Sequence, residues 1–388
     1  MHFATAIVGA LAAGLVAAHP GHDHAAEQAV RNAALKFSKR SLSHCADKIK
    51  ARGLEARAVK RRSELAAASM AKRNLPKRDL TSLLNVTHHS TADYTLDTSI
   101  ETIFATNNSC VLSPEVTEGP YYVAGESIRQ DVTETQAGVS LALDLQVLDV
   151  DTCEPVPNAY LEIWHCNSTG VYSGVTATGN GDGSADNLNA TFLRGVQQTD
   201  ADGTVQFHTL VPGHYNGRTN HIHVMLHINA TAFSNGTLID TTHVGHVGQA
   251  FFDQDLLTQV EATSAYSSNT QTVTTNEEDM ILSQEAETSD PFIEYVLLGE
   301  TVEDGLLGWL SFGVDSALAK NVSAAATHYE SGGVANPNAG GGGPGGGAPP
   351  SGFPGGSFTR SPTGSASASV IAPSASATTR AAQVCQAA

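Results

Sequence analysis

Basic residues are scarce beyond position 78: residues 79–388 hold 6 Lys and Arg against 34 Asp and Glu, a formal charge of −28 in a chain whose total is −18. So acidic a surface repels phosphate backbones and anionic lipid, which argues against nucleic acid and against a membrane as partners. Long apolar runs are missing after the first, Ala4–Ala17, so nothing later in the chain reads as a spanning helix. Cysteine is rare, five in 388 residues, and no two stand at the close spacing of a zinc site. Extended helical periodicity is also absent, which excludes a bundle and leaves a fold of short strands.

What is there divides the chain by composition. The run Ala4–Ala17, ending in small residues before His19-Pro20, reads as a secretory signal peptide over 1–18, so the protein is expected to be extracellular. Residues 19–78 are basic and carry dibasic pairs at Lys39-Arg40, Lys60-Arg61, Lys72-Arg73 and Lys77-Arg78, the pattern of a pro-segment cut by an endoprotease, with the mature chain starting near Asp79. A polar arm follows over 79–109, then a folded unit over 110–325. From 332 to 388 the chain turns Gly/Pro-rich and then Ser/Ala/Thr-rich, a disordered tail that suits a cell-wall setting. Sequons for N-glycosylation stand at Asn85, Asn107, Asn167, Asn189, Asn229, Asn235 and Asn321. With Cys45 in the pro-segment, Cys110, Cys153, Cys166 and Cys385 allow three pairings, among which the sequence does not choose.

Within the folded unit, alternation predicts strands over 140–150, 159–165, 204–210, 221–228 and 244–252, with two more in 291–300 and 306–313. The strand over 140–150 is expected to be half-buried, and 253–263 to be a short helix. Residues 174–190 form a Gly/Asn/Asp/Ser-rich loop, and 266–290 a polar connection. Many short strands between turn residues indicate an all-β, antiparallel β-sandwich.

The most informative stretch is Pro212–Ile228, PGHYNGRTNHIHVMLHI. A period of two puts Ile222, Val224, Leu226 and Ile228 on one face and His221, His223 and His227 on the other. Residues two apart on a strand lie ~6.5–7 Å apart, so His221 and His223 can converge on one ion, whereas His227 cannot join them. Tyr215 and Arg218 precede them in a Pro/Gly-punctuated loop, and Tyr172 follows the strand at 159–165. Two phenolates and two imidazoles make a hard, anionic donor set suited to Fe(III) rather than to zinc.

Trp164-His-Cys-Asn-Ser-Thr-Gly-Val-Tyr172, Leu193-Arg-Gly195, Thr199-Asp-Ala-Asp-Gly203 and Pro212-Gly-His-Tyr-Asn-Gly-Arg218-Thr-Asn-His-Ile-His223 resemble the intradiol ring-cleavage dioxygenases, most closely their secreted fungal branch, over roughly 113–252. The resemblance implies non-haem Fe(III) ligated by Tyr172, Tyr215, His221 and His223. It also implies a catechol-type substrate opened with O2 to a cis,cis-muconate-type diacid. Tyr215 would serve as a base and Arg218 as the cation that stabilises the charged substrate. Gln249, in Val-Gly-Gln-Ala-Phe-Phe, matches a glutamine near substrate and O2, although the segment from His223 to Gln249 is longer than in cytosolic members. Tyr121 stands where the family's pocket-lining loop passes. A cupin enzyme would need a glutamate four or five residues beyond its His-x-His, and Met225–Asn229 contains none. The alternative is a non-catalytic secreted or cell-wall binding module with a vestigial metal site, which would be colourless where an iron tyrosinate is red to burgundy.

Overall fold

A computed structural model describes residues 42–73 and 119–337, apart from 178, 182 and 287–289. The segments expected to be a signal peptide (1–18), an arm (79–109) and most of a tail (from 338 on) lie outside these residues.

Two four-stranded sheets pack face to face. The first has the order β10-β11-β3-β6, built from Glu294–Leu297 (β10), Leu306–Val314 (β11), Ser140–Asp149 (β3) and Thr204–Leu210 (β6). The second has the order β5-β4-β7-β9, from Arg194–Gln198 (β5), Tyr160–Trp164 (β4), His221–His227 (β7) and Val244–Phe251 (β9). Pairing within the sheets is antiparallel except between β3 and β11, which run parallel. The alternation read from the sequence sets the core: Leu141, Leu143, Leu145 and Val147 of β3 meet Leu161 and Ile163 of β4 and Ile222, Val224 and Leu226 of β7. Helix α3 (Gln254–Glu261), capped by Asp253 through Leu256 N, closes one edge of that core. Three short pairs lie at the periphery: Val123–Ala124 (β1) with Ala326–Tyr329 (β12), β12 with Gly332–Ala335 (β13), and Glu126–Ser127 (β2) with Thr237–Leu238 (β8).

Four expectations are corrected. The folded unit does not begin at 110, because residues 42–73 belong to it. Their helices α1 (Ala46–Ala51) and α2 (Leu54–Lys72) lie on the outer face of the first sheet, where Leu65, Ala66 and Met70 pack on Ala142, Leu307 and Trp309. Basic residues of two of the dibasic pairs complement the acidic body, while Lys39-Arg40 and Lys77-Arg78 lie outside the described residues. Arg61 forks onto Asp144 at 2.8 and 3.0 Å, Lys72 reaches Asp131 at 2.9 Å, and Arg73 donates to Glu303 O at 2.7 Å. Arg62, fully buried, lies 5.2 Å from the centroid of the Trp309 ring. Burial pushes the Asp144 carboxyl up, but the Arg61 hydrogen bonds and the Arg62 charge outweigh it and hold the group below the usual carboxylate range.

The second correction follows from the first: β3 is buried on both faces rather than half-buried, since α2 covers the side opposite the core. Third, Cys153 pairs with Cys45 across 108 residues, so none of the three pairings that left Cys45 aside includes the bond that forms; Cys166 is free and buried. Fourth, the C-terminal boundary shifts. The glycine-rich segment starts with β13, which hydrogen-bonds to β12, and the polar connection over 266–290 contains helix α4 (Met280–Ala286).

Candidate functional site

Every second residue of β7 points to the outer face of the second sheet, and there the chain builds an aromatic cluster around His221 and His223. Strand pairing fixes the neighbours: His223 stands opposite Trp164 on β4 and Gln249 on β9. The Trp164 ring stacks flat on the His223 imidazole, centroids 4.7 Å apart and planes 4° from parallel. The loop before β7 supplies Tyr215 and Arg218. Its tight path depends on Gly213, where an added Cβ would come within 2.5–2.6 Å of Asn167 O and Ser168 O, and on Gly217 at φ +84. Tyr172 arrives from the end of β4. Its main chain is gripped by Asn180, which accepts from Tyr172 N at 2.7 Å and donates to Tyr172 O at 2.8 Å.

The four donors converge. Tyr172 Oη and Tyr215 Oη each lie 3.4 Å from His221 Nε2, and His223 Nε2 lies 3.2 Å from it. All four side chains are buried. His221 Nδ1 stands 2.6 Å from Thr219 O; a carbonyl only accepts, so Nδ1 carries the proton and Nε2 turns a lone pair into the cluster. That is the tautomer a metal ligand requires. Donor atoms with 3.2–3.4 Å edges sit on a shell of roughly 2.0–2.3 Å radius, the bond length of first-row metal ions to nitrogen and oxygen.

The electrostatics point the same way. Burial pushes both phenols up, that of Tyr215 in spite of the opposing Arg218 charge, so a phenolate in this cluster needs a cation beside it. Burial, reinforced by the nearby His221, pushes the His223 imidazole well down, which keeps it neutral and able to ligate. The donor set therefore fits a hard trivalent ion.

Around the cluster stand the other residues singled out in the sequence. Arg218 is fully buried, donates through Nε to Asp279 Oδ2 at 2.9 Å, and reaches Gln249 Oε1 with Nη2. Tyr121 stacks on Tyr172 at 4.4 Å and meets Tyr215 edge-on at 5.8 Å; burial pushes its phenol up to about 12. Arg194 braces this wall, donating to Tyr121 O and to Ser173 O, each at 2.7 Å. His227 points elsewhere and pairs with Glu162 at 2.9 Å, while His214 pairs with Glu261 at 2.9 Å.

Two residues escaped the sequence reading. Asn180 is one of many asparagines in a loop whose geometry periodicity does not reach. Asp279, the partner of Arg218, also accepts from Thr219 N at 2.8 Å and caps α4 through Ile281 N and Leu282 N. Its only signal was that of an N-cap before Met-Ile-Leu, which marks a helix but not a partner 61 residues back.

Comparisons with known proteins bear on what this cluster belongs to. The profile described as Dioxygenase matches residues 117–294. A catechol 1,2-dioxygenase of Acinetobacter baylyi is 36% identical over 108 residues, 26% of this chain and 32% of that protein. One from a Pseudomonas species is 42% identical over 66 residues, 16% of this chain and 22% of its own length. The chain thus spans about a third or less of the length of these curated relatives. Among solved structures, an intradiol ring-cleavage dioxygenase of Tetranychus urticae shares 32% identity, covering 54% of this chain and 97% of that one, at a TM-score of 0.45. Over residues 117–294 the chain is thus similar to dioxygenases of the catechol 1,2-dioxygenase kind.

Proposed function

We propose that this protein opens catechol-type aromatic diols between their two hydroxyls with O2, using non-haem Fe(III) held by Tyr172, Tyr215, His221 and His223. The convergence of two phenols and a second imidazole within 3.2–3.4 Å of His221 Nε2 carries this reading. Bound there, Fe(III) would supply the Lewis acidity that makes a catechol-type ring reactive toward O2. The chain's own residues do the rest. Tyr215 Oη takes a substrate proton, since its high proton affinity once free of a cation makes it a competent base. Arg218, fixed by Asp279, presents a buried charge that stabilises negative charge developing on the substrate, worth about 3–4 kcal/mol if it acts like one oxyanion donor. Tyr121 and Trp164 wall the site and keep water out. Both atoms of O2 enter the product, and a diol becomes a diacid.

The Cys45–Cys153 disulfide, together with the apolar N-terminal run, supports a protein that works outside the cell. Arg218, held at 0% exposure by an equally buried Asp279 and hydrogen-bonded to Gln249 beside the donor cluster, favours a working site over a vestigial one. Oxygen uptake across catechol, protocatechuate, hydroxyquinol and caffeate tests the reading: at least one is consumed one-for-one with O2 to a diacid. Silence on all four from iron-loaded protein contradicts it.

A further inference from the structure

The sequons differ in what their amides are free to do. Asn167 is committed to the fold: its Oδ1 accepts from Thr169 N, Thr169 Oγ1 and Val171 N at 2.9–3.0 Å, and its Nδ2 donates to Gln136 Oε1 at 3.0 Å. Asn235 is the opposite case. It is exposed at the tip of a five-residue hairpin in which Gly236 N donates to Phe233 O at 3.0 Å and Phe233 N to Thr237 O at 2.9 Å. With Gly236 at φ +78, this is a type I turn closed by a left-handed bulge residue.

That geometry makes Phe233 and Thr237 a cross-strand pair whose side chains share one face. The Asn235 carboxamide is folded onto the same face, because Oδ1 accepts from Thr237 Oγ1 at 2.8 Å and from Thr237 N at 3.2 Å. Nδ2 is left facing outward with one exposed contact, to Glu330 Oε1 at 3.2 Å. Phe233 itself is 52% exposed and packs into no core cluster. With Tyr329, 47% exposed, and Ile239, 36% exposed, it lines an open groove of about 960 Å3 that runs beside the hairpin. An aromatic ring, an asparagine amide and a threonine hydroxyl at positions one, three and five of the turn thus lie together at the surface.

We propose that Asn235 is a site of N-glycosylation whose first N-acetylhexosamine lies over the Phe233 ring, with the glycan continuing along the groove toward Tyr329. Axial C–H bonds of the sugar carry partial positive charge and meet the negative face of the ring. The donor is an oligosaccharide linked to a lipid pyrophosphate. Asn235 Nδ2 bonds to its anomeric carbon, the bond from that carbon to the pyrophosphate oxygen breaks with its electron pair, and the amide proton leaves to solvent. The glycan covers apolar surface that the fold leaves open, and Asn167, half-buried and hydrogen-bonded through both Oδ1 and Nδ2, stays unmodified.

The test is expression of the full chain in a secreting eukaryotic host, followed by peptide mapping and melting after trimming to a single sugar. Asn235 is expected to be occupied and Asn167 empty. The sugar should raise Tm by about 1–4 °C over Asn235→Gln, and Phe233→Ala should abolish that increment. A chain unmodified at Asn235, whether secreted or retained, overturns the proposal. So does a Tm increment of the same size with and without the phenyl ring.

Discussion

Asp279 is the residue on which the cation of the site depends, and replacing it gives a result that can be worked from the structure. Its Oδ2 accepts from Arg218 Nε at 2.9 Å and from Thr219 N at 2.8 Å, while Oδ1 caps α4. Asp279→Asn keeps the cap but turns an amide NH2 toward two N–H groups, so both bonds are lost. The guanidinium and the carboxylate are both 0% exposed, and stranding one member of such a pair costs about 3–5 kcal/mol. Removing both charges, in Arg218→Met with Asp279→Asn, leaves no stranded ion and should recover at least 1 kcal/mol relative to Asp279→Asn alone. Urea unfolding of wild type, Asp279→Asn and the double variant reads these energies. Oxygen uptake in parallel should show kcat in Asp279→Asn down by tenfold or more at unchanged iron content, because Arg218 is no longer held in place. The reasoning fails if Asp279→Asn unfolds within 0.5 kcal/mol of wild type, or if the double variant is no more stable than it.

Three further outcomes are expected. His223→Ala should empty the metal site while Tyr215→Phe retains much of the iron but shifts the colour and slows turnover; equal metal content in all three proteins contradicts the ligand assignment. Replacing Cys45 and Cys153 by alanine opens a link across 108 residues, worth about 4–5 kcal/mol in the chain-entropy model, and should make residues 42–73 sensitive to protease before the sandwich unfolds. Burial pushes Asp149 up, but bonds from Ser316 and Thr152 outweigh it and hold the carboxyl at about 2. It therefore stabilises the fold by roughly 2 kcal/mol above pH 4, an amount lost as pH falls from about 4 to 2, and Asp149→Asn should flatten that acid limb of a stability-versus-pH curve.

The strands of the sandwich were legible because each has one face in the core, and period two survives whatever covers the other side: Leu141 to Val147 and Ile222 to Leu226 carry it in full. What covers the outer face of β3 was not legible. Helix α2 is basic and its hydrophobic stripe is narrow, so it read as a processed segment; its partner Asp144 is an ordinary-looking polar position on a strand. The disulfide is hidden for the same reason, since Cys45 lies in that basic segment, 108 residues before its partner. At the candidate site, the sequence drew attention to seven side chains. The structure brings Tyr172, Tyr215, His221 and His223 to one point, with Tyr121 stacked on Tyr172 and Arg218 donating to Gln249. The residues that orient them, Asn180 and Asp279, depend on loop paths and on the choice of one acid among many. No periodic signal reports either.

The most direct test of the account is the metal content and visible spectrum of the purified full chain, measured together. One iron per chain with an intense tyrosinate-to-Fe(III) band, lost in His223→Ala, is the predicted result. A colourless protein that takes up no iron on reconstitution, or that holds zinc in its place, contradicts it.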